Sequence, residues 1–65
     1  MKQRFIDLYN TVFDENGSVK SCDRGTTSEL IKAAENLKSG IDFGNSDTGM
    51  MFVGNIKTLY KEVVQ

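Results

Sequence analysis

Residues 52–64 read FVGNIKTLYKEVV, and this stretch decides the fold. Its apolar side chains recur at steps of three and four residues, which places them on one broad face of an α-helix. They are Phe52, Val53, Ile56, Leu59, Tyr60, Val63 and Val64. Because this face is wider than a two-stranded coiled-coil seam, more than one neighbour must cover it. We therefore expect the last helix at the centre of the packing, covered by the two preceding segments or by a second copy of the chain.

The length of 65 residues allows a single domain, residues 1–65. A core of this size rarely supplies more than about 3–5 kcal/mol of stability. Small proteins often add disulfides or a structural metal, but this chain has one cysteine, Cys22, and no histidine. A homodimer is therefore one expected source of stability, and a compact monomer is the alternative. We expect no bound metal and no cofactor.

Composition indicates a folded, soluble, cytoplasmic protein. The net charge is −1, and hydrophobic residues make up 38% of the chain, which is typical of a globular domain rather than a disordered one. No apolar run approaches the roughly 20 residues of a membrane span. Asp7 and Asn10 interrupt the region where a secretory signal would need an apolar run. A lone cysteine favours a reducing compartment, and the initial methionine suggests a complete gene product.

The predicted fold class is all-α, a small domain of three helices. Their expected bounds are about 2–14, 26–38 and 47–64. The first has an apolar face that includes Phe5, Tyr9 and Phe13. In the second, Thr26 can cap the first turn while Glu29 reaches back to the cap amide.

A loop rich in Gly, Asp and Ser, residues 39–49, precedes the third predicted helix. Two apolar residues interrupt it, Ile41 and Phe43, and we expect them to pack down onto the core. Ser46 or Asp47 is the expected N-cap of the third helix, because short polar side chains accept hydrogen bonds from the first-turn amides. Under this prediction Met50 and Met51 lie in the first turn, where one of the two must point outward.

The alternative fold is α+β, with a short hairpin around Asn16-Gly17. Asn-Gly between apolar residues is a strong hairpin signal. Val19 is, however, the only strongly apolar residue after this turn, and an isolated two-stranded hairpin is marginal in water. The helical fold is therefore the preferred prediction.

Three motifs resemble catalytic or ligand-binding sites but are incomplete. Residues 14–18 begin like a calcium loop, yet Val19 stands where the loop needs glycine. Residues 44–49 have the glycine spacing of a phosphate loop without its lysine. Cys22 has no histidine to act as a base. The sequence therefore predicts a protein that is not an enzyme.

The preferred function is binding to a larger protein as a stand-alone regulator, inhibitor or accessory factor. Proteins of this kind are frequent in phage and mobile-element genomes, a general expectation that no residue of this chain specifies. Aromatic side chains anchor interfaces, and methionines adapt to irregular ones. The predicted partner-binding residues are Phe43, Met50, Met51 and Tyr60, with Phe52 beside them.

The alternative function is that of a small dimeric regulator associated with nucleic acid. Phosphate contacts need a basic surface, and the chain carries Lys20 and Arg24 close in sequence, with Lys57 and Lys61 on one helical face. The eight cations are otherwise spread along the chain. Nucleic-acid binding is therefore the second prediction, and no membrane partner is expected.

Overall fold

The computed structural model describes residues 2–20 and 23–65. Within them the chain forms a mainly helical small domain with one antiparallel hairpin. The elements are α1 (Lys2–Val12), α2 (Arg24–Leu37), β1 (Gly44–Asn45), β2 (Met50–Met51) and α3 (Val53–Val64). None of these helices is long and apolar enough to cross a membrane. The predictions for Cys22 lie outside the described residues.

A tight turn follows α1. The Asp14 carboxylate accepts hydrogen bonds from the amides of Asn16 and Ser18, each at 2.9 Å. Gly17 has a φ of 81°, and a single antiparallel bridge joins Phe13 to Val19. The Asn16-Gly17 signal thus produces a tight turn with a single bridge and not a two-stranded hairpin. The Asp14 carboxylate takes the Ser18 amide, which strand pairing would otherwise use.

The start of α2 differs from the prediction. Its N-cap is Asp23, whose carboxylate accepts from the Thr26 amide at 3.0 Å. The helix therefore begins before Thr26, the predicted cap. Glu29 does not reach back to a cap amide, because its carboxylate pairs with Arg4 of α1.

A hairpin stands where the third helix was predicted to begin. Gly44 pairs with Met51, and Asn45 pairs with Met50. Gly44 and Gly49 have φ values of 129° and 69°, which a right-handed helix does not allow. A Cβ on Gly44 would lie 2.1 Å from the Met50 carbonyl oxygen, so the close pairing requires glycine. The predicted caps at residues 46–47 are therefore wrong, and α3 begins after the hairpin.

The hairpin rests on the N-terminal half of α2. The Ser28 hydroxyl donates a hydrogen bond to the Ser46 carbonyl oxygen. The Arg24 guanidinium donates to the Asp47 carbonyl oxygen, with Nε at 3.1 Å. A Cβ on Gly49 would lie 2.8 Å from the Thr27 hydroxyl oxygen, so the loop approaches the helix closely here. These contacts hold the hairpin as an ordered part of the domain.

The centre of the core is α2, and the expectation that the last helix lies there is wrong. Leu30, Ile31 and Ala34 of α2 are fully buried, whereas α3 contributes only Ile56 and Leu59 to the buried set. The hairpin packs on the N-terminal half of α2, which adds to the cover of that helix. The buried apolar residues are Phe5, Tyr9, Val12, Phe13, Leu30, Ile31, Ala33, Ala34, Phe43, Ile56 and Leu59.

Candidate functional site

The first candidate site is an open cleft of about 370 Å³ between the C-terminal half of α1, the turn after it and α3. We call it the tyrosine cleft. It is lined by Tyr9, Asn10, Asp14, Glu15, Asn16, Gly17, Lys57, Tyr60 and Lys61. Both charge signs and two aromatic rings therefore meet in one concave surface.

Stacked aromatic rings form the base of the tyrosine cleft. Tyr9 and Tyr60 stack with their ring centroids 3.7 Å apart and their planes 6° from parallel. Phe13 continues the stack on Tyr9, with centroids 4.4 Å apart. Burial, and secondarily the charge of the Tyr60 phenol, raises the pKa of the Tyr9 hydroxyl above its ordinary value. Tyr9 is therefore a neutral hydrogen-bonding group at neutral pH.

The charged groups of the cleft lie on different elements. Lys57 and Lys61 belong to α3, whereas Asp14 and Glu15 belong to the turn after α1. The Lys57 ammonium lies 5.7 Å from the centre of the Phe13 ring, within cation–π range. In the described part of the chain, no ion pair within 4.0 Å joins these lysines to these carboxylates.

The second candidate site comprises exposed apolar side chains on β2, at the N-cap of α3 and in the segment before β1. We call it the hairpin patch, and it consists of Ile41, Met50 and Phe52. Met50 is 65% exposed, Phe52 46% and Ile41 36%.

Backbone and side-chain hydrogen bonds hold the segments that carry the hairpin patch. The Phe52 amide donates to the Phe43 carbonyl oxygen at 2.9 Å, which extends the hairpin pairing by one step. The Asn55 side-chain amide donates to the Asp42 carbonyl oxygen at 2.7 Å and holds that segment against the first turn of α3. The backbone on both sides of the patch is therefore tied to ordered structure.

The predicted partner-binding residues separate into different environments. Met50 is exposed on β2, while Met51 packs against the core from the same strand. Tyr60 lines the tyrosine cleft. Phe43, by contrast, exposes none of its surface. Phe43 packs in the core, as we predicted for this residue of the 39–49 loop. Ile41, which we expected to pack there too, remains exposed.

The predicted nucleic-acid residues are only partly gathered at the tyrosine cleft. Lys57 and Lys61 both line the tyrosine cleft, where two carboxylates accompany them. Arg24 is bound to the Asp47 carbonyl oxygen. Lys20 and Arg24 are absent from the lining of the cleft, as far as the described residues show. The structure therefore brings two of the four cations together.

Sequence reasoning missed the side of the cleft that α1 and the turn after it form, above all Tyr9 and Glu15. A usable signal was present, because Phe5, Tyr9 and Phe13 recur every four residues and form an aromatic row on one helix face. The row does not show which residue of α3 will stack on it. That pairing depends on how α3 crosses α1, which is a tertiary property.

Neither site has the donor set of a metal centre. Within residues 2–20 and 23–65, no group of three or more His, Cys, Asp or Glu side chains could hold a metal ion. Comparison with protein-family models, with curated proteins and with solved structures gave no match. Function is therefore inferred from the tyrosine cleft and the hairpin patch.

Proposed function

We propose that this protein is a small regulator, inhibitor or accessory factor that docks on a larger protein through the hairpin patch. The supporting observation is the exposure of Met50 and Phe52, which are 65% and 46% accessible although both are large and apolar. Aromatic residues and methionine are enriched at protein interfaces. A partner that covers these two side chains removes apolar surface from water, at roughly 25 cal/mol per Å².

The choice of residue at Phe52 supports this proposal. Phe52 occupies the N-cap position of α3 and makes no side-chain capping bond. Ser, Thr, Asp and Asn are the preferred N-caps, and losing such a cap costs about 0.5–2 kcal/mol. Local helix stability therefore favours a polar residue at this position. A half-exposed phenylalanine is better explained by contact with another molecule.

The ordered backbone around the patch supports it further. The hairpin is held on α2 by the Ser28 and Arg24 hydrogen bonds to the 46–47 carbonyls. A surface that is already ordered loses less conformational entropy on binding. Met50 and Phe52 are therefore presented in a form suited to docking.

The test compares four forms of the immobilised protein in nuclease-treated extract of the native host. They are the wild type, Met50→Ser, Phe52→Asp and the control Val64→Ser. Val64 is also apolar and 49% exposed, but it lies at the far end of α3. We expect the wild type and the control to retain one protein. With either patch variant, the retained amount of this protein should fall about tenfold or more. Circular dichroism checks that each variant is folded.

Equal retention by all four forms would place the docking surface elsewhere. If light scattering shows a dimer that Met50→Ser and Phe52→Asp dissociate, the patch binds a second copy of this chain. Nucleic-acid association predicts a third result, in which material is retained only from extract that has not been treated with nuclease, and its binding weakens steeply between low and physiological salt. An apolar interface responds little to salt over that range.

A further inference from the structure

Oppositely charged side chains line the tyrosine cleft without forming an ion pair, whereas such side chains do pair elsewhere in the described residues. Two ion pairs form elsewhere, Arg4 with Glu29 and Lys38 with Glu62. The cleft carries two lysines on α3 and two carboxylates on the facing turn. No pair within 4.0 Å joins them in the described part of the chain. The two walls of the cleft, α3 and the turn after α1, therefore carry charges of opposite sign that form no ion pair among the described residues.

The inner charge on each wall is held by its own surroundings. The Lys57 ammonium packs beside the Phe13 ring, and a Cβ on Gly17 would lie only 3.4 Å from Nζ. The Asp14 carboxylate accepts the amides of residues 16 and 18. Lys57 thus lies beside Gly17 of the turn, and the Asp14 carboxylate already accepts hydrogen bonds from the amides of that turn. Glu15 and Lys61 are exposed.

We infer that the tyrosine cleft binds a small zwitterion of amino-acid or dipeptide size. Its carboxylate faces Lys57 and Lys61, its ammonium faces Asp14 and Glu15, and its apolar part packs on Tyr60. The volume of about 370 Å³ falls within the range of about 300–1,000 Å³ of small-molecule sites.

Electrostatics favours a ligand that carries both charges. An anion is attracted by the lysines and repelled by the facing carboxylates, and a cation experiences the reverse. A zwitterion in the right orientation gains from both walls. This inference goes beyond partner binding and is independent of it, since the hairpin patch shares none of its three residues with the cleft lining.

The test is a titration followed by the amide ¹H–¹⁵N shifts of the whole protein. The probes are L-phenylalanine and glycyl-L-phenylalanine, which separate amino-acid from dipeptide size. N-acetyl-L-phenylalanine lacks the ammonium, and L-phenylalaninamide lacks the carboxylate. We expect saturable shifts within residues 14–17 and 57–61 for at least one zwitterion, and about tenfold weaker binding of both blocked compounds.

Charge-neutralising variants provide the second arm. We expect Lys61→Gln and Glu15→Gln each to weaken zwitterion binding about two- to fivefold, the range of an exposed charge contact. The matched controls are Lys32→Gln and Glu35→Gln, exposed charges on α2, and they should leave affinity unchanged. The inference is overturned if neither zwitterion gives saturable shifts up to about 10 mM. It is also overturned if a blocked compound binds as tightly, or if the controls weaken binding equally.

Discussion

Tyr9 of α1 and Tyr60 of α3 stack face to face, with ring centroids 3.7 Å apart and planes 6° from parallel. This stack is a principal contact between the two helices, because α3 adds only Ile56 and Leu59 to the buried core. Tyr60 also approaches Phe5, with centroids 6.5 Å apart. The pair therefore both attaches the last helix and forms the base of the tyrosine cleft.

Removing the Tyr60 ring should destabilise the fold. We expect Tyr60→Ala to lower the free energy of unfolding by about 2–3 kcal/mol, because the stack and part of the apolar contact are lost. Tyr60→Phe keeps the ring and should stay within about 0.5 kcal/mol of the wild type. Urea unfolding followed by circular dichroism measures both. A similar loss in the two variants would show that the hydroxyl, and not the ring, holds α3.

Stability should fall in alkaline solution because of Tyr9. Its pKa is raised above 10.0, first by burial and then by Tyr60. The unfolded chain therefore loses the phenol proton at lower pH than the folded protein does. The contribution of Tyr9 to stability is unchanged below about pH 10 and decreases as pH rises from there through the folded pKa.

The variant Tyr60→Phe isolates this titration, because the chain has two tyrosines and only Tyr9 remains. Phenolate absorbance should give a Tyr9 pKa that is still raised, since burial persists, but less so than in the wild type. Unfolding in urea should return it to the ordinary value. A Tyr9 pKa at or below the ordinary value in the folded variant would contradict the burial of this ring.

Asp23 should stabilise the fold near neutral pH, and this stabilisation should be lost in acid. The Thr26 backbone amide, bonded to the Asp23 carboxylate, lowers the pKa of that group below its ordinary value of 3.8. Its contribution is therefore complete above about pH 4 and is lost as pH falls through the folded pKa. We expect Asp23→Ala to lower the melting temperature near neutral pH, with a difference that shrinks in acid. Glu35→Gln, on the exposed face of α2, is the control and should show no such convergence.

Gly44 should tolerate no side chain. We expect Gly44→Ala to cost about 2–4 kcal/mol, because its φ is 129° and the new Cβ would lie 2.1 Å from the Met50 carbonyl oxygen. Gly54 has an ordinary φ, and nothing lies within 4 Å of a Cβ there. Gly54→Ala should therefore stabilise α3 by up to about 1 kcal/mol.

A substitution at Gly40 separates the strain of a positive φ from the close Cβ contact, both of which act at Gly44. The φ of Gly40 is 83°, but a Cβ there meets nothing within 4 Å. Gly40→Ala should cost only about 1–2 kcal/mol, the strain of a left-handed backbone. Thermal unfolding ranks the three variants, and a Gly44→Ala protein as stable as Gly40→Ala would argue against the close hairpin pairing.

Phe43 and Met50 should respond oppositely to truncation. Phe43 is fully buried, so Phe43→Ala should cost about 3–5 kcal/mol and leave little folded protein. Met50 is 65% exposed, so Met50→Ala should change stability by less than about 0.5 kcal/mol. Urea unfolding measures the free energy of unfolding of both variants. A tolerated Phe43→Ala would place this side chain outside the core.

The helices were the most predictable part of the fold. The four-residue spacing of Phe5, Tyr9 and Phe13 indicated α1 and its buried face. This face is as expected because helical spacing alone determines which residues share a side. The last helix was predicted for the same reason.

The start of α3 could not be located by spacing. Residues 50–52 are apolar and fit either a helix or a strand. The choice depends on the left-handed backbone at Gly44 and Gly49 and on the close approach of that loop to Thr27. Likewise, the positions of Lys57 and Lys61 on one face follow from sequence, whereas the acidic turn that faces them is brought there by tertiary packing.

Phe52 belongs to the hairpin and to α3 at once. Its amide donates to Phe43, and its carbonyl accepts from the Ile56 amide at 3.1 Å. Because no linker separates them, the hairpin and α3 share this residue, and the position of the hairpin determines where α3 begins. If a zwitterion bound in the tyrosine cleft changes the affinity of the hairpin patch for its protein partner by some factor, the bound partner must change the affinity of the cleft for the zwitterion by the same factor.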